Sequence, residues 1–179
     1  MRIGGWIRAA VLGAAGMVAA TDAHAQASET AVKAAFLPRF ARYVTWPSPA
    51  APKGEDPFVL CIIGSDPFGR AIDDAARSQT VEGQRIVVRR LETAASADGC
   101  HVAFVEGSRT RPVGQLLSAL GRKPILTVTD ARNSGPRGVI HFSIVSGRVR
   151  FFIDEAAASK RGLSISSRLL ALAVGVRQR

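Results

Sequence analysis

The chain has 179 residues, 47% hydrophobic and 21% charged, with 24 Lys and Arg against 14 Asp and Glu. That is one domain's length with enough apolar residues for a sizeable core, which excludes a disordered, collagen-like or heptad-repeat chain. Two cysteines exclude a cysteine-built zinc cluster and a disulfide-dense mini-scaffold.

Residues 1–25 read as a secretory leader. Arg2 and Arg8 form a positive start, Ala9 to Ala20 is an Ala/Gly-rich apolar run, and Ala23-His24-Ala25 fits a signal-peptidase site. The alternative is a membrane anchor, but the run is shorter than the roughly 20 apolar residues a span needs. The expectation is cleavage after Ala25 and a mature single domain, 26–179, exported to the periplasm. The mature chain keeps 22 basic and 13 acidic residues. The arginines are dispersed, as in Arg39, Arg42, Arg70, Arg77, Arg109, Arg122 and Arg148. This pattern and export both argue against nucleic acid as a partner and for a solvated Arg-rich surface.

Residues 29–46 read as an amphipathic helix with Val32, Phe36, Phe40 and Tyr43 on one face, kinked or broken at Pro38. A Pro-rich loop follows at 48–56. Phe58 to Ile63 is a continuous apolar run, the pattern of a strand buried on both faces of a parallel sheet. Gly64-Ser65-Asp66-Pro67 then starts a helix over 67–78, with Asp66 as cap and Phe68, Ala71, Ile72 and Ala75 inward. Strands are expected at Ile86–Val88, Cys100–Val105 and Ile125–Val128. A helix over 111–120 is closed by Gly121. Val139–Val145 and Arg148–Ile153 alternate around Ser146-Gly147, a hairpin signal. Asp154 begins a short helix that Gly162 breaks, and 164–174 is a last helix or mixed element. The sum is an α/β fold: a three-layer Rossmann-like sandwich whose mostly parallel sheet is extended by a C-terminal antiparallel hairpin.

No catalytic motif emerges. There is no nucleophile elbow, zinc-binding His-Glu-x-x-His, P-loop or dinucleotide glycine motif. His101 and His141 sit in apolar strand segments, as core or edge-strand histidines do. Asp73-Asp74 and Asp154-Glu155 are adjacent, so on a helix they diverge rather than converge. The expectation is a protein without enzymatic activity, cofactor or metal.

Cys61 and Cys100 favour a disulfide in an oxidising compartment, tying neighbouring strands. Two buried free thiols and a redox-active pair are the alternatives. One loop resembles a ligand site: Gly64, Ser65, Asp66, Phe68 and Gly69 lie where a buried strand hands over to a helix, and Thr129 and Asp130 would share that rim. Ordinary capping chemistry explains the same residues, since Asp66 itself offsets the helix dipole.

Taken in order, several segments resemble the YfiR/HmsC-like family of exported bacterial proteins. They are Val32 to Leu37 with Phe40, Tyr43, Trp46 and Pro47; Cys61 to Gly69; Cys100 to Val105; Ile125 to Asp130; Val149 to Asp154; and Gly162 to Leu170. The resemblance implies a periplasmic regulator that binds the periplasmic sensory domain of an inner-membrane diguanylate cyclase and holds it inactive. It further implies sequestration by an outer-membrane lipoprotein, a homodimer, and a Cys61–Cys100 bridge at the family's disulfide positions. A second cysteine pair that some members carry near the 139–153 hairpin is missing here. The docking surface is expected on the first helix, the C-terminal ribbon and the last helix, through Phe36, Arg39, Phe40, Arg150, Phe152 and Arg168. The alternative function is a periplasmic small-ligand sensor for another membrane receptor, such as a sensor kinase, with its site at the 64–69 loop.

Overall fold

A computed structural model describes residues 18–132 and 135–178, with side chains from residue 29 onward. Of the expected leader 1–25, residues 1–17 lie outside the described residues, and residues 18–25 belong to the first helix. Helix α1 (Val18–Ala41) is followed by the two-residue strand β1 (Val44–Thr45), then β2 (Phe58–Gly64), α2 (Arg70–Arg77), β3 (Thr80–Val81) and β4 (Gln84–Leu91). A 3-10 turn at Ala94–Ser96 leads to β5 (Val102–Glu106), α3 (Val113–Leu120) and β6 (Leu126–Asp130). The chain ends with β7 (Ile140–Val145), β8 (Arg148–Asp154), α4 (Glu155–Ser159), β9 (Ser164–Ile165), α5 (Ser167–Leu170) and β10 (Gly175–Arg177).

Eight strands form one sheet in the order β10-β8-β7-β6-β5-β2-β4-β3, and β1 pairs with β9 in a separate ladder. The neighbours from β4 through β2, β5 and β6 to β7 are parallel. Strands β7 and β8 close the expected antiparallel hairpin. Alternation along β2 feeds two cores. Leu60 and Ile62 face α1 and α2 with Phe104, Val128, Leu37, Phe40 and Ile72. Cys61 and Ile63 face α3 with Ala103, Val105, Leu116 and Leu120. The result is the expected three-layer α/β sandwich with a largely parallel sheet.

The first helix departs from expectation. It ends at Ala41, so Tyr43 to Trp46 belong to the turn and strand β1, not to a helix reaching residue 46. It also passes through Pro38 without a break. The missing proline N–H costs one helical bond, and the buried side chains of Leu37, Phe40 and Ala41 hold the last turn in place. The buried stripe is rotated from the expected one: Lys33, Ala34, Leu37 and Phe40 point inward, while Val32 is solvent-facing. Apolar spacing alone misplaces the face because a charged residue occupies part of it.

Both hairpins have the same turn chemistry. Ser146 and Gly147 have φ of 49° and 70°, and Glu82 and Gly83 have φ of 51° and 85°. Positive φ at both central residues matches the right-handed twist of the flanking strands. The β3–β4 hairpin and the edge strand β10 lie outside the sequence expectations. Three-residue and two-residue strands give too little alternation to read.

Asp154 caps α4 as expected, its Oδ1 accepting the Ala157 N–H at 2.9 Å. Gly64 ends β2 at φ +91°, and a Cβ there would lie 1.9 Å from the Glu106 carbonyl oxygen. Gly64→Ala is therefore expected to cost about 2 kcal/mol or more, from left-handed strain and backbone collision. Thermal or urea unfolding checks this; a loss below about 0.5 kcal/mol, the scale of a neutral surface change, would show that β2 and β5 separate freely at this point.

Candidate functional site

The parallel strands run in the order β4-β2-β5-β6, so the strand order reverses between β2 and β5. In open α/β sheets ligands bind outside the carboxyl ends of the strands at such a point. The 64–69 loop lies there. Its own protein contacts are extensive. Asp66 Oδ1 accepts the N–H groups of Phe68 at 2.7 Å and Gly69 at 3.1 Å, and Oδ2 accepts Arg90 Nε at 2.7 Å. Arg90 also donates to both oxygens of Asp73, at 3.1 and 2.7 Å, and to the Gly69 carbonyl at 2.9 Å. The Arg90 hydrogen bond holds the Asp73 carboxyl below its ordinary range against the opposing effect of burial. Phe68 is buried, edge-on to Phe104 with ring centres 4.7 Å apart. Ser65 stands exposed. The α2 helix proper starts at Arg70, so Asp66 caps a preceding turn rather than the helix.

Thr129 and Asp130 end β6 at the same end of the sheet, but they enter other networks. Thr129 Oγ1 lies 2.9 Å from His141 Nδ1 and accepts the Gly138 N–H at 2.9 Å. Asp130 is 1% exposed, and its Oδ2 accepts Lys33 Nζ at 2.6 Å. Lys33 is fully buried and also donates to Glu29 one helical turn away. Arg132 completes the group, its N–H 3.0 Å from Asp130 Oδ1 and its Nη2 3.2 Å from Oδ2. Burial alone would raise the Asp130 carboxyl. The Lys33 bond, the Arg132 N–H and both cations outweigh it and hold the group below its ordinary value. This cluster pins the second half of α1 to the end of a central strand. Sequence reading missed it, because Lys33 sits one position beside the apolar stripe and Asp130 looked like a strand-end rim residue.

The expected docking residues differ in exposure: Phe36 and Phe40 stack together in the interior, and the arginines are exposed. Phe40 is 1% exposed and packs with Phe36, Phe142 and Phe151 at centroid distances of 5.0 to 5.6 Å. Phe36 is half-buried in the same cluster, between α1 and the sheet. Arg39 on α1 and Arg168 on α5 are exposed, near either side of the β1–β9 ladder in sequence. Phe152 points to the sheet face opposite Phe151 and packs under Arg137, whose guanidinium carbon lies 5.6 Å from its ring centre. Arg150 is exposed on that strand. Among the described large apolar side chains, exposure is greatest at Leu172, 63%, and Val174, 45%, just before β10.

Cys61 and Cys100 form a disulfide with Cα atoms 5.9 Å apart, joining β2 to the entry of its neighbour β5. His101 beside it has a structural place. Its Nδ1 accepts the Val59 N–H at 2.9 Å, and burial pushes its pKa down. Among the described residues, no three His, Cys, Asp or Glu side chains gather as a metal site, and no helix is long and apolar enough to cross a membrane.

No curated protein matches the chain in sequence. A family model described as YfiR/HmsC-like matches residues 30–174, from within α1 to the residue before β10. Membership suggests a regulatory rather than a catalytic role, and a setting in the periplasm. The chain belongs to the YfiR/HmsC-like family.

Proposed function

We propose that this protein is a periplasmic regulator that docks on the periplasmic sensory domain of an inner-membrane diguanylate cyclase and holds it inactive, lowering cyclic di-GMP. The observation that carries this reading is the family match over 30–174, which takes in the whole sandwich except its edge strand. Export with cleavage after Ala25 is consistent with the packing. The cut would leave in the mature chain Glu29, Lys33, Leu37 and Phe40, which anchor α1 among the described side chains. The Cys61–Cys100 bridge suits an oxidising compartment.

Repression needs only differential affinity. A regulator that binds the cyclase's off state a few kcal/mol more tightly than its on state shifts the equilibrium decisively. Arg39, Arg168 and the exposed apolar pair Leu172 and Val174 form the reading's docking groups, with Arg150 and Phe152 on the ribbon and half-buried Phe36 and buried Phe40 on α1. A homodimer and release by an outer-membrane lipoprotein complete the proposal.

Deleting the protein is expected to raise cellular cyclic di-GMP, and restoring it with Arg39→Glu and Arg168→Glu to fail in repression while folding normally. The measurement is cyclic di-GMP by mass spectrometry, with the exported protein recovered and its N-terminus sequenced. Unchanged cyclic di-GMP after deletion, or an intact leader on the recovered protein, would sink the reading.

A further inference from the structure

The face of the sheet opposite α1 is covered by α3 over β2 and β5, and beyond it a row of residues runs across four strands. Thr129 on β6 registers with His141 on β7, His141 with Phe152 on β8, and Phe152 with Gly175 on β10. Residues in register share a face. Residues 135–139 arch over this row, and Gly138 is pressed so close that a Cβ would lie 2.7 Å from the Thr127 carbonyl oxygen. Between the arch and β8–β10 is a cavity of about 660 Å³ lined by Arg137, His141, Phe152, Asp154 and Arg177. A volume in the range of about 300–1,000 Å³ suits a small molecule.

The lining is an excess of hydrogen-bond donors. Asp154 is its one carboxylate, and both oxygens are engaged: Oδ1 by the Ala157 N–H at the start of α4, Oδ2 by Arg177. Arg137 lies over the Phe152 ring and has no carboxylate partner among the described residues. On the far side of the same arch, a smaller cavity of about 210 Å³ is lined by Arg137 and half-buried Arg161. The Arg161 guanidinium meets the Lys123 carbonyl oxygen at 3.1 Å, a neutral acceptor.

His141 adds a directed donor. Its Nδ1 faces the Thr129 hydroxyl, whose oxygen already accepts the Gly138 N–H. Among the described residues the hydroxyl proton has no other acceptor than Nδ1. With the hydroxyl donating to Nδ1, the neutral ring carries its proton on Nε2, and His141 lines the cavity. Burial first, and then the Arg137 charge, push the His141 pKa down, so the ring keeps this neutral donor form at pH 7.

We propose that this cavity binds a small molecule carrying an oxyanion, a carboxylate or phosphate monoester, that takes its hydrogen bonds from the Arg137 fork and His141 Nε2–H. Guanidinium forks match both oxyanions in geometry, and charge-assisted bonds of this kind are the strong ones. The site lies apart from the 64–69 rim and from Arg39 and Arg168 and shares only Phe152 with the proposed docking groups, and it is tested on the isolated protein without any cyclase.

The experiment titrates the purified, disulfide-bonded protein with inorganic phosphate, phenyl phosphate, benzoate and, as the uncharged control, benzamide. Two-dimensional NMR of the imidazole resonances is the readout. The anions are expected to shift His141 and not His101, and benzamide to shift neither; the preference between phosphate and carboxylate identifies the ligand class. Arg137→Ala is expected to weaken anion binding about tenfold or more, Arg137→Lys by less, and Arg70→Ala on the distant α2 not at all. Since Arg137 is exposed, its variants are expected to fold, which unchanged amide spectra would establish. Silence of His141 toward every anion at millimolar concentration, or unchanged affinity in folded Arg137→Ala, would overturn the proposal.

Discussion

Replacing Lys33 with methionine is expected to destabilise the fold by about 3 kcal/mol or more, the cost of stranding a buried charge. Lys33 is fully buried and its partner Asp130 is 1% exposed. Methionine keeps most of the side chain's length and apolar stem but removes the ammonium. Asp130 then keeps only Arg132, which sits at the solvent edge. The matched double variant Lys33→Met with Asp130→Leu is expected to recover most of the loss, because apolar groups of similar size often replace a buried pair at little cost. Urea unfolding of the three proteins gives the comparison. A single variant as stable as the parent would show that water reaches the pair.

The same cluster sets an acid dependence, and its sign follows from Asp130. The folded carboxyl is held below its ordinary 3.8, with Lys33 and Arg132 prevailing over the upward push of burial. A depressed carboxyl contributes stability above its unfolded value and loses it as pH falls through the lower folded value. The parent protein is therefore expected to lose stability through this group below about pH 4. In Lys33→Met the principal counterweight to burial is gone and the Asp130 pKa is expected to rise. That variant then gains relative stability as pH falls through the raised value. The narrowing of the gap between the two stability curves as pH falls is a signature that a simple packing defect does not produce.

Much of the sandwich is legible from residue patterns because its strands are extreme. Phe58 to Ile63 is apolar without interruption, and only a strand covered on both faces asks for that. Ser146-Gly147 and the Asp154 cap are local chemistry, so they are readable without knowing the rest of the fold. What escapes is long-range. Lys33 and Asp130 are 97 residues apart, and neither spacing nor propensity announces that a lysine on α1 turns inward to meet the end of β6. Arg90 is read as a surface charge until the parallel pairing of β2 with β4 brings it beside Asp66. The oxyanion cavity escapes for the same reason. Thr129, His141 and Phe152 come from three strands and align only once the register is known. The sequence does carry one local trace of it, the Gly135-Pro136-Arg137-Gly138 run, whose glycine permits the close approach to Thr127.

Reducing the Cys61–Cys100 bridge is expected to cost about 4 kcal/mol on the chain-entropy estimate for a loop of this length. The two residues are 39 apart in sequence. Little of that loss arises in the folded state. Five residue pairs from Leu60–Val102 to Gly64–Glu106 hold β2 against β5 whether or not the sulfurs are joined, and the surrounding apolar cluster of Ile63, Ala97, Val105 and Leu120 remains. The bridge acts mainly by restricting the unfolded chain. Reduction should therefore leave the native circular dichroism and amide spectra nearly unchanged, lower the urea midpoint, and raise the m-value, since the freed unfolded chain exposes more surface. Cys61→Ala with Cys100→Ala is expected to cost more than reduction alone, because it also removes two buried sulfur atoms and leaves space behind them. A loss below about 1 kcal/mol on reduction, far short of the loop-closure estimate, would mean that the unfolded chain keeps β2 and β5 together without covalent help. A loss with altered native spectra would instead place the bridge's contribution in the fold itself.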